Sequence, residues 1–251
     1  MPKIRLDRLL VERGLAESRE KAQRLILAGS VLVDDRPGVK AGHLVADDAQ
    51  VRLRDQERFV SRGGLKLEEA FRVFGPQGFD ASGKRCVDVG ASTGGFTDCL
   101  LQHGAASVVA LDVGHGQLHP RIAADPRVDA RDGVNCRHLS AADVQPPAEV
   151  AVTDVSFISL KLILPGIDAV LAPGGETVAL IKPQFEAGRE DVGRGGVVRD
   201  EAVRERVVRE VREFAEGTLG WQFLGSCPSP IKGPAGNVEF LAWWRKPEAK
   251  S

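Results

Sequence analysis

Cys86-Val87-Asp88-Val89-Gly90-Ala91-Ser92-Thr93-Gly94-Gly95-Phe96 decides the fold. A short apolar run ends in an acid, a glycine-rich turn follows, and a helical pattern begins, which is how a strand feeds a crossover helix. Working outward, apolar runs recur at 108–111, 150–153 and 178–181, with helical patterns at 159–171 and 200–215. That alternation predicts a parallel sheet with crossover helices. Upstream, Leu67, Ala70, Phe71 and Phe74 have helical spacing. Downstream, strands at 221–225 and 238–244 flank a Pro/Gly loop too short for a crossover, so they must pair antiparallel. The expected class is α/β, a mostly parallel sheet whose last strand is antiparallel, behind a small α+β module.

The glycine turn is not the dinucleotide fingerprint, because Asp88 lies inside it and Ala91 replaces the second glycine. A pyrophosphate there would meet a carboxylate, whereas a cation such as the amino group of a methionine moiety would be welcome. Asp112 ends the second strand, suited to ribose hydroxyls, and Asp132 follows the third. Glycines kept only for a tight turn explain the loop but not three acids after three successive strands. In open parallel sheets this edge binds ligands. S-adenosylmethionine fits an amine, a ribose and an adenine along it. The expected cofactor set is Asp88, Gly90, Ala91, Ser92, Gly94, Gly95, Phe96, Asp112 and Asp132.

Across 251 residues, 34 basic and 35 acidic groups leave a formal charge of -1, so bulk charge names no partner. The distribution is uneven: residues 1–62 carry 13 basic and 10 acidic groups, a surplus of +3, and 63–251 carry 21 and 25, a deficit of -4. The first part reads as a separate module at 1–56, joined by a linker at 57–62 to a domain at 63–251. Leu6, Leu9 and Leu10 mark one helix; Ser18 caps a second with apolar face Ala22, Leu25 and Ile26, and Gly29 stops it. Small strands follow around Val31, Val33, Val51 and Leu53. Cys86, Cys99, Cys136 and Cys227 lie far apart, without Cys-x-x-Cys and with no His read at ligand spacing, so no metal and a reduced, cytoplasmic setting are expected. His103, His115, His119 and His138 are assigned nothing. The start lacks a secretory apolar stretch, and no run nears the roughly 18 apolar residues that span a bilayer.

The module's Arg-Leu-Asp-Arg-Leu-Leu and Ser-Arg-Glu-Lys-Ala stretches, followed by Ala-Gly-Ser-Val-Leu-Val-Asp, resemble the small RNA-binding module of the S-four type over about 50 residues. The resemblance implies that Arg5, Arg19, Lys21, Arg24 and Lys40 face phosphates, which positions RNA without reading its sequence. Considered without it, they are a solvated charged face. Asp-Val-Gly-Ala-Ser-Thr-Gly-Gly-Phe-Thr, Asp-Val-Gly-His-Gly-Gln-Leu, Asp-Val-Ser-Phe-Ile-Ser-Leu, Lys-Pro-Gln-Phe-Glu and Ser-Pro-Ile-Lys-Gly-Pro-Ala-Gly-Asn-Val-Glu-Phe together resemble the TlyA ribosomal RNA methyltransferases, nearly end to end. The resemblance implies a Rossmann-like methyltransferase domain of FtsJ type, S-adenosylmethionine as cofactor, ribosomal RNA or a subunit as partner, and a cytidine 2'-O-methyl product. The chain's ends are similar to those of the shorter members, which modify the large subunit (23S) alone. The family's linker influences cofactor binding; here it carries Phe59 and no Trp.

The same resemblance implies a catalytic set of Lys66, Asp154, Lys182 and Glu239. Asp154 and Lys182 follow the fourth and fifth parallel strands, and Glu239 begins an antiparallel one, so the three share one sheet edge. Lys66 borders the preceding helix's apolar stripe and can reach along the protein. A ribose hydroxyl is a poor acid, and a neutral lysine is a competent base. Lys182 is the expected base, with Asp154 and Lys66 tuning and orienting it and Glu239 fixing an amine or the ribose. Phe157 and Phe185 either wall a flipped base or belong to the core. Three rivals have other signatures: an assembly factor without activity, a membrane-lytic haemolysin, and a nicotinamide dehydrogenase. Asp154, Lys161 and Asp168 interrupt the apolar runs a pore would need, and Asp88 argues against the dehydrogenase.

Overall fold

The structure, a computed structural model, describes residues 2–38, 40–53 and 58–249. The chain divides into two compact units, Met1–Arg58 and Phe59–Ser251. The expected boundary at Gln56 and the first linker residue, Glu57, lie outside the described residues.

In the first unit β1 (Lys3–Arg5) leads into α1 (Leu6–Glu12) and α2 (Arg19–Leu27). Ser18 caps α2 by accepting from the Lys21 amide at 3.2 Å, which meets one of the donors a helix start leaves unpaired. The strands β2 (Val31–Val33), β3 (Arg36–Pro37), β4 (Leu44–Ala46) and β5 (Val51–Leu53) form a β3-β2-β5 sheet and a β1-β4 pair. Asp34 and Asp35 both have positive φ in the β2–β3 turn, a conformation that short polar side chains tolerate. Leu6, Leu10, Ala22, Ile26 and Val31 are buried together as the core.

In the second unit α3 (Gly63–Phe74) precedes β6 (Arg85–Val89), α4 (Gly95–Gln102), β7 (Ser107–Leu111), α5 (Pro120–Ala123), β8 (Val128–Arg131), β9 (Ala148–Thr153), α6 (Leu164–Val170), β10 (Leu171–Ile181), α7 (Pro183–Glu186), α8 (Glu201–Leu219), β11 (Gln222–Pro228) and β12 (Phe240–Arg245). The seven strands run in the order β11-β12-β10-β9-β6-β7-β8. β12 is antiparallel to both β10 and β11; the pairs among β6 to β10 are parallel. Alternation along the strands sorts the core into two layers. Cys86, Val108, Val150, Val152, Leu180 and Trp243 pack with α3 and α4. Val87, Val89, Ala151, Ile181 and Trp244 pack with α6 and α8.

Several expected elements differ. The run at 178–181 is the end of a strand that begins at Leu171. The helical pattern at 159–171 is interrupted: a 3-10 turn at Leu160–Leu162 precedes α6, because Pro165 supplies no amide donor and fits only the first turn of a helix. α8 runs past the expected end at 215 to Leu219, where Gly220 takes the left-handed conformation that ends it. Phe59, which the sequence reading assigns to the linker, is buried in the core of the second unit. A Cβ on Gly64 would lie 2.2 Å from the Phe59 ring. Gly64→Ala is therefore expected to destabilise the protein by about 1–3 kcal/mol through overpacking; an unchanged denaturation midpoint would show that this corner repacks freely.

Candidate active site

Strand order reverses between β6 and β9, and such a switch point opens a crevice at the strands' carboxyl ends. The loop after β6 enters it. Gly90 has φ +83°, and a Cβ there would meet Val155 Cγ1 at 2.8 Å, so only glycine lets the loop pass under the loop after β9. The Gly90 and Ala91 amides both donate to the Leu111 carbonyl, at 2.8 and 3.0 Å. The Ser92 amide donates to Asp112 Oδ2 at 2.8 Å and the Gly114 amide to Oδ1 at 2.7 Å, fixing the Asp112 carboxylate beside the turn.

Two cavities share this crevice. One, of about 330 Å³, is lined by the glycine loop, Lys66, Asp154, Lys182 and Glu239. The other, of about 500 Å³, is lined by Asp112, Val113, Asn135, Cys136, Phe157 and Ile163, among others. Gly90, Ser92, Asp154 and Ser156 belong to both. Of the expected cofactor residues, Gly90, Ala91, Ser92, Gly95 and Phe96 line the smaller cavity and Asp112 the larger. Asp88, Gly94 and Asp132 line neither. Gly94 makes the left-handed entry to α4. Asp132 accepts from the Gly116 amide at 2.7 Å and so shapes the loop after β7. Asp88 is fully buried beneath the turn, accepting the Thr97 hydroxyl at 2.6 Å. From there it braces the loop from below through Thr97.

Lys66, Asp154, Lys182 and Glu239 come together. The Lys66 Nζ lies 3.1 Å from Asp154 Oδ2 and 2.9 Å from Glu239 Oε2. The Lys182 Nζ lies 2.7 Å from Asp154 Oδ1 and donates to Ser156 Oγ at 2.7 Å. The contacts to Glu239 Oε2 and Asp154 Oδ1 fall off the hydrogen-bond line, so they are charge pairs with acceptor capacity left over. Four elements supply the set: α3, the ends of β9 and β10, and the residue preceding β12. Asn237 steadies that last segment, its side chain accepting from the Val198 amide at 3.0 Å and donating to the Gly196 carbonyl at 2.8 Å.

Ser156 is a site residue the sequence reading passed over; its signal was its place in Asp-Val-Ser-Phe, two residues after Asp154. Phe157 has φ +64° and is 90% exposed, so it is not core, and its ring lies 5.0 Å from that of Phe185. Cys99 and His103 do stand at a ligand spacing, four residues apart along α4, contrary to the sequence reading. With Glu68 they offer one donor atom each within 4.8 Å. The three interact directly: His103 Nε2 lies 2.7 Å from Glu68 Oε2, and the Cys99 thiol donates to the same oxygen at 3.8 Å. None of them lines either cavity.

The five expected RNA-facing residues, Arg5, Arg19, Lys21, Arg24 and Lys40, are all exposed. Arg5 and Arg19 are committed differently. Both pair with the buried Asp7, at 3.0 and 3.1 Å, and Gln23 donates to it at 3.0 Å. The Arg5 guanidinium holds the Asp7 carboxyl well below the usual carboxylate range.

The FtsJ-like methyltransferase family matches residues 59–246, and the S4 domain matches residues 4–51. The chain is 44% identical over 245 residues to the 16S/23S rRNA (cytidine-2'-O)-methyltransferase TlyA of Mycobacterium tuberculosis, covering 97% of this chain and 90% of that one. The chain belongs to the TlyA family. A TlyA relative from Campylobacter jejuni, named a 23S rRNA (cytidine-2'-O)-methyltransferase, is 34% identical over 76% of this chain and 72% of its own. Hemolysin A of Brachyspira hyodysenteriae is 42% identical over 95% and 98%. A solved chain from Streptococcus thermophilus that carries a hemolysin name superposes with a TM-score of 0.74 at 43% identity, over 98% of this chain and 90% of that one. Among the described residues, no helix is long and apolar enough to cross a membrane.

Asp88, in β6 beneath the loop, makes stability depend on pH. Burial pushes the Asp88 carboxyl up to about 7 against the pull of the Thr97 hydroxyl, and the Asp154 carboxylate adds to the rise. A raised acid favours the folded state while protonated, so its contribution is complete below the ordinary value of 3.8 and is lost as pH rises through about 7. Denaturant unfolding should show the wild type losing more stability between pH 5 and pH 8 than Asp88→Asn does. Equal losses would mean that Asp88 is ionised without penalty.

Proposed function

We propose that the protein transfers a methyl group from S-adenosylmethionine to the 2'-hydroxyl of a cytidine in ribosomal RNA. The observation that carries this reading is the Lys66–Asp154–Lys182–Glu239 set on a cavity that shares a wall with the one holding Asp112.

The residues present fit the cofactor. Asp112 keeps acceptor capacity for ribose hydroxyls, Val113, Cys136 and Ile163 offer apolar area to a purine, and Asn135 is a polar neighbour. The loop passes close enough to its surroundings that side chains at Gly90 and Gly95 would collide with them. When bound, S-adenosylmethionine supplies an electrophilic methyl carbon on a cationic sulfur. Lys182 takes the proton of the ribose hydroxyl as that oxygen's new bond to the methyl carbon replaces the carbon–sulfur bond. Asp154 holds the Lys182 nitrogen from one side and Ser156 from the other, which fixes the direction of the remaining lone pair or proton. Lys66 anchors Asp154 and Glu239 together, so neither carboxylate is left unbalanced. Phe157, exposed at the rim, offers a face on which an extruded base can stack.

The S4 domain supports RNA as the partner, through Lys21, Arg24 and Lys40 with Arg5 and Arg19 beside them. Both TlyA enzymes named above for their substrate act on 23S rRNA. We take the large subunit, the substrate common to them, as the target here, and the cytoplasm, where ribosomes are, as the setting.

Tritiated methyl incorporation into purified subunits tests the reading. Lys182→Met should lower transfer at least about a hundredfold, the scale of a lost general base, while equilibrium cofactor binding stays within about threefold. Substantial residual transfer would defeat the assignment of the base. Phe157→Ala should raise the RNA concentration needed for half-maximal rate about tenfold, the worth of one stacked base; an unchanged value would remove Phe157 from the RNA site.

A further inference from the structure

The loops that follow the neighbouring parallel strands β9 and β10 are joined at three places. Asp154 and Ser156 hold Lys182. Phe157 packs on Phe185. Glu186 accepts the Ser159 hydroxyl and the Leu160 amide, both at 2.6 Å. Glu186 ends the Lys-Pro-Gln-Phe-Glu stretch, of which the reaction as read above uses only the lysine.

Glu186 lines neither cavity, so it acts through other residues. Its two oxygens meet two successive groups of the opposite loop, at the start of the Leu160–Leu162 turn, where backbone amides otherwise lack partners. Burial pushes its carboxyl up, the Ser159 and Leu160 donors and nearby Lys161 pull it down, and Glu210 adds to the rise. The segment between the two attachments contains Ser156, which touches Lys182, and Phe157, whose positive φ a non-glycine residue keeps only where its surroundings enforce it. Leu160 is buried in the core just beyond Ser159, so the Glu186 bonds fix the polar groups where the segment enters it.

We propose that Glu186 is a positioning residue, the rear clamp that keeps Ser156 against Lys182 and Phe157 at the cavity rim. The inference rests on the reading of the site as a methyltransferase centre. Its chemistry is hydrogen-bond geometry and not charge: a glutamine can still bond both groups, accepting from the Leu160 amide and donating to the Ser159 oxygen.

The full-length wild type, Glu186→Ala, Glu186→Gln and Ser159→Ala are compared by hydrogen exchange with mass-spectrometric readout over residues 155–162 and by single-turnover methyl transfer at saturating RNA and cofactor. In Glu186→Ala, exchange in this segment should accelerate about tenfold or more with the remaining peptides unchanged. Transfer should slow about tenfold or more, since small misplacements near reacting groups are costly. Glu186→Gln should restore both to within about threefold, and Ser159→Ala, which keeps the Leu160 bond, should fall between. Unchanged exchange in Glu186→Ala, transfer within about threefold of wild type, or a glutamine variant as impaired as the alanine one each overturns the clamp. If Glu186→Ala does not fold, the glutamine and Ser159 variants decide by the same two readings. A wild type that methylates no ribosomal RNA removes the functional reading instead, and the exchange comparison still decides whether Glu186 holds the loop.

Discussion

A carboxylate held between two lysine nitrogens is the constraint on which the crevice depends. Asp154 touches Lys66 with one oxygen and Lys182 with the other, and Lys66 also reaches Glu239, which is almost fully buried. Each of these charges is expensive to take out of water alone, and removing one leaves its neighbour uncompensated. The four therefore stand or fall together, although they come from residues 66, 154, 182 and 239 of the chain. The antiparallel course of β12 makes this possible. Its first residues lie at the same edge as the last residues of β9 and β10, which brings Glu239 to the cavity that Asp154 and Lys182 line and within 2.9 Å of Lys66.

Much of this architecture is visible in the sequence because the second unit is built from strands whose two faces are both covered. Such strands read as continuous apolar runs, and 86–89, 108–111 and 150–153 each announce one within a residue or two of its observed limits. The loop between the last two strands is too short for a crossover, so their direction was also legible. The third strand before Asp132 has no such run: Val128–Arg131 lies at the sheet edge and alternates with charged residues, and it is found by what surrounds it. In the first unit the helix faces are plain, but strands of two or three residues carry too little pattern to be delimited.

The site is less legible than the fold, for a reason that Asp88 and Asp7 share. Sequence places an acid at a strand end or helix start but does not say which way its carboxylate turns. Asp88 turns inward to Thr97, and Asp7 turns inward to gather Arg5, Arg19 and Gln23. The second case changes how the basic face is understood. Two of its guanidiniums are already organised by a buried carboxylate, which preorganises them at the expense of part of their charge, while Arg5, Arg19, Lys21, Arg24 and Lys40 all stand exposed. Ser156 and Glu186 escape notice for the opposite reason: they are polar residues of ordinary type whose importance arises from partners 26 and 27 positions away.

Backbone strain separates the crevice from the rest of the chain. Of the described non-glycine residues with positive φ, Asp34 and Asp35 sit in a hairpin turn that wants such a conformation. Ser92 and Phe157 are in no such turn; they stand in the loops after β6 and β9, and both line the larger cavity. An aromatic residue in that region costs about 1–3 kcal/mol and survives only where its neighbours over-determine it. The same residue leaves its ring 90% exposed, so burial does not repay the cost within the free protein. Local preference, packing and solvation all argue against this conformation at Phe157. What favours it is the bracket formed by Asp154 on one side and Glu186 on the other, together with whatever the ring contacts when the site is filled. A residue that breaks a local rule without compensation from its own burial is what a functional site is expected to hold.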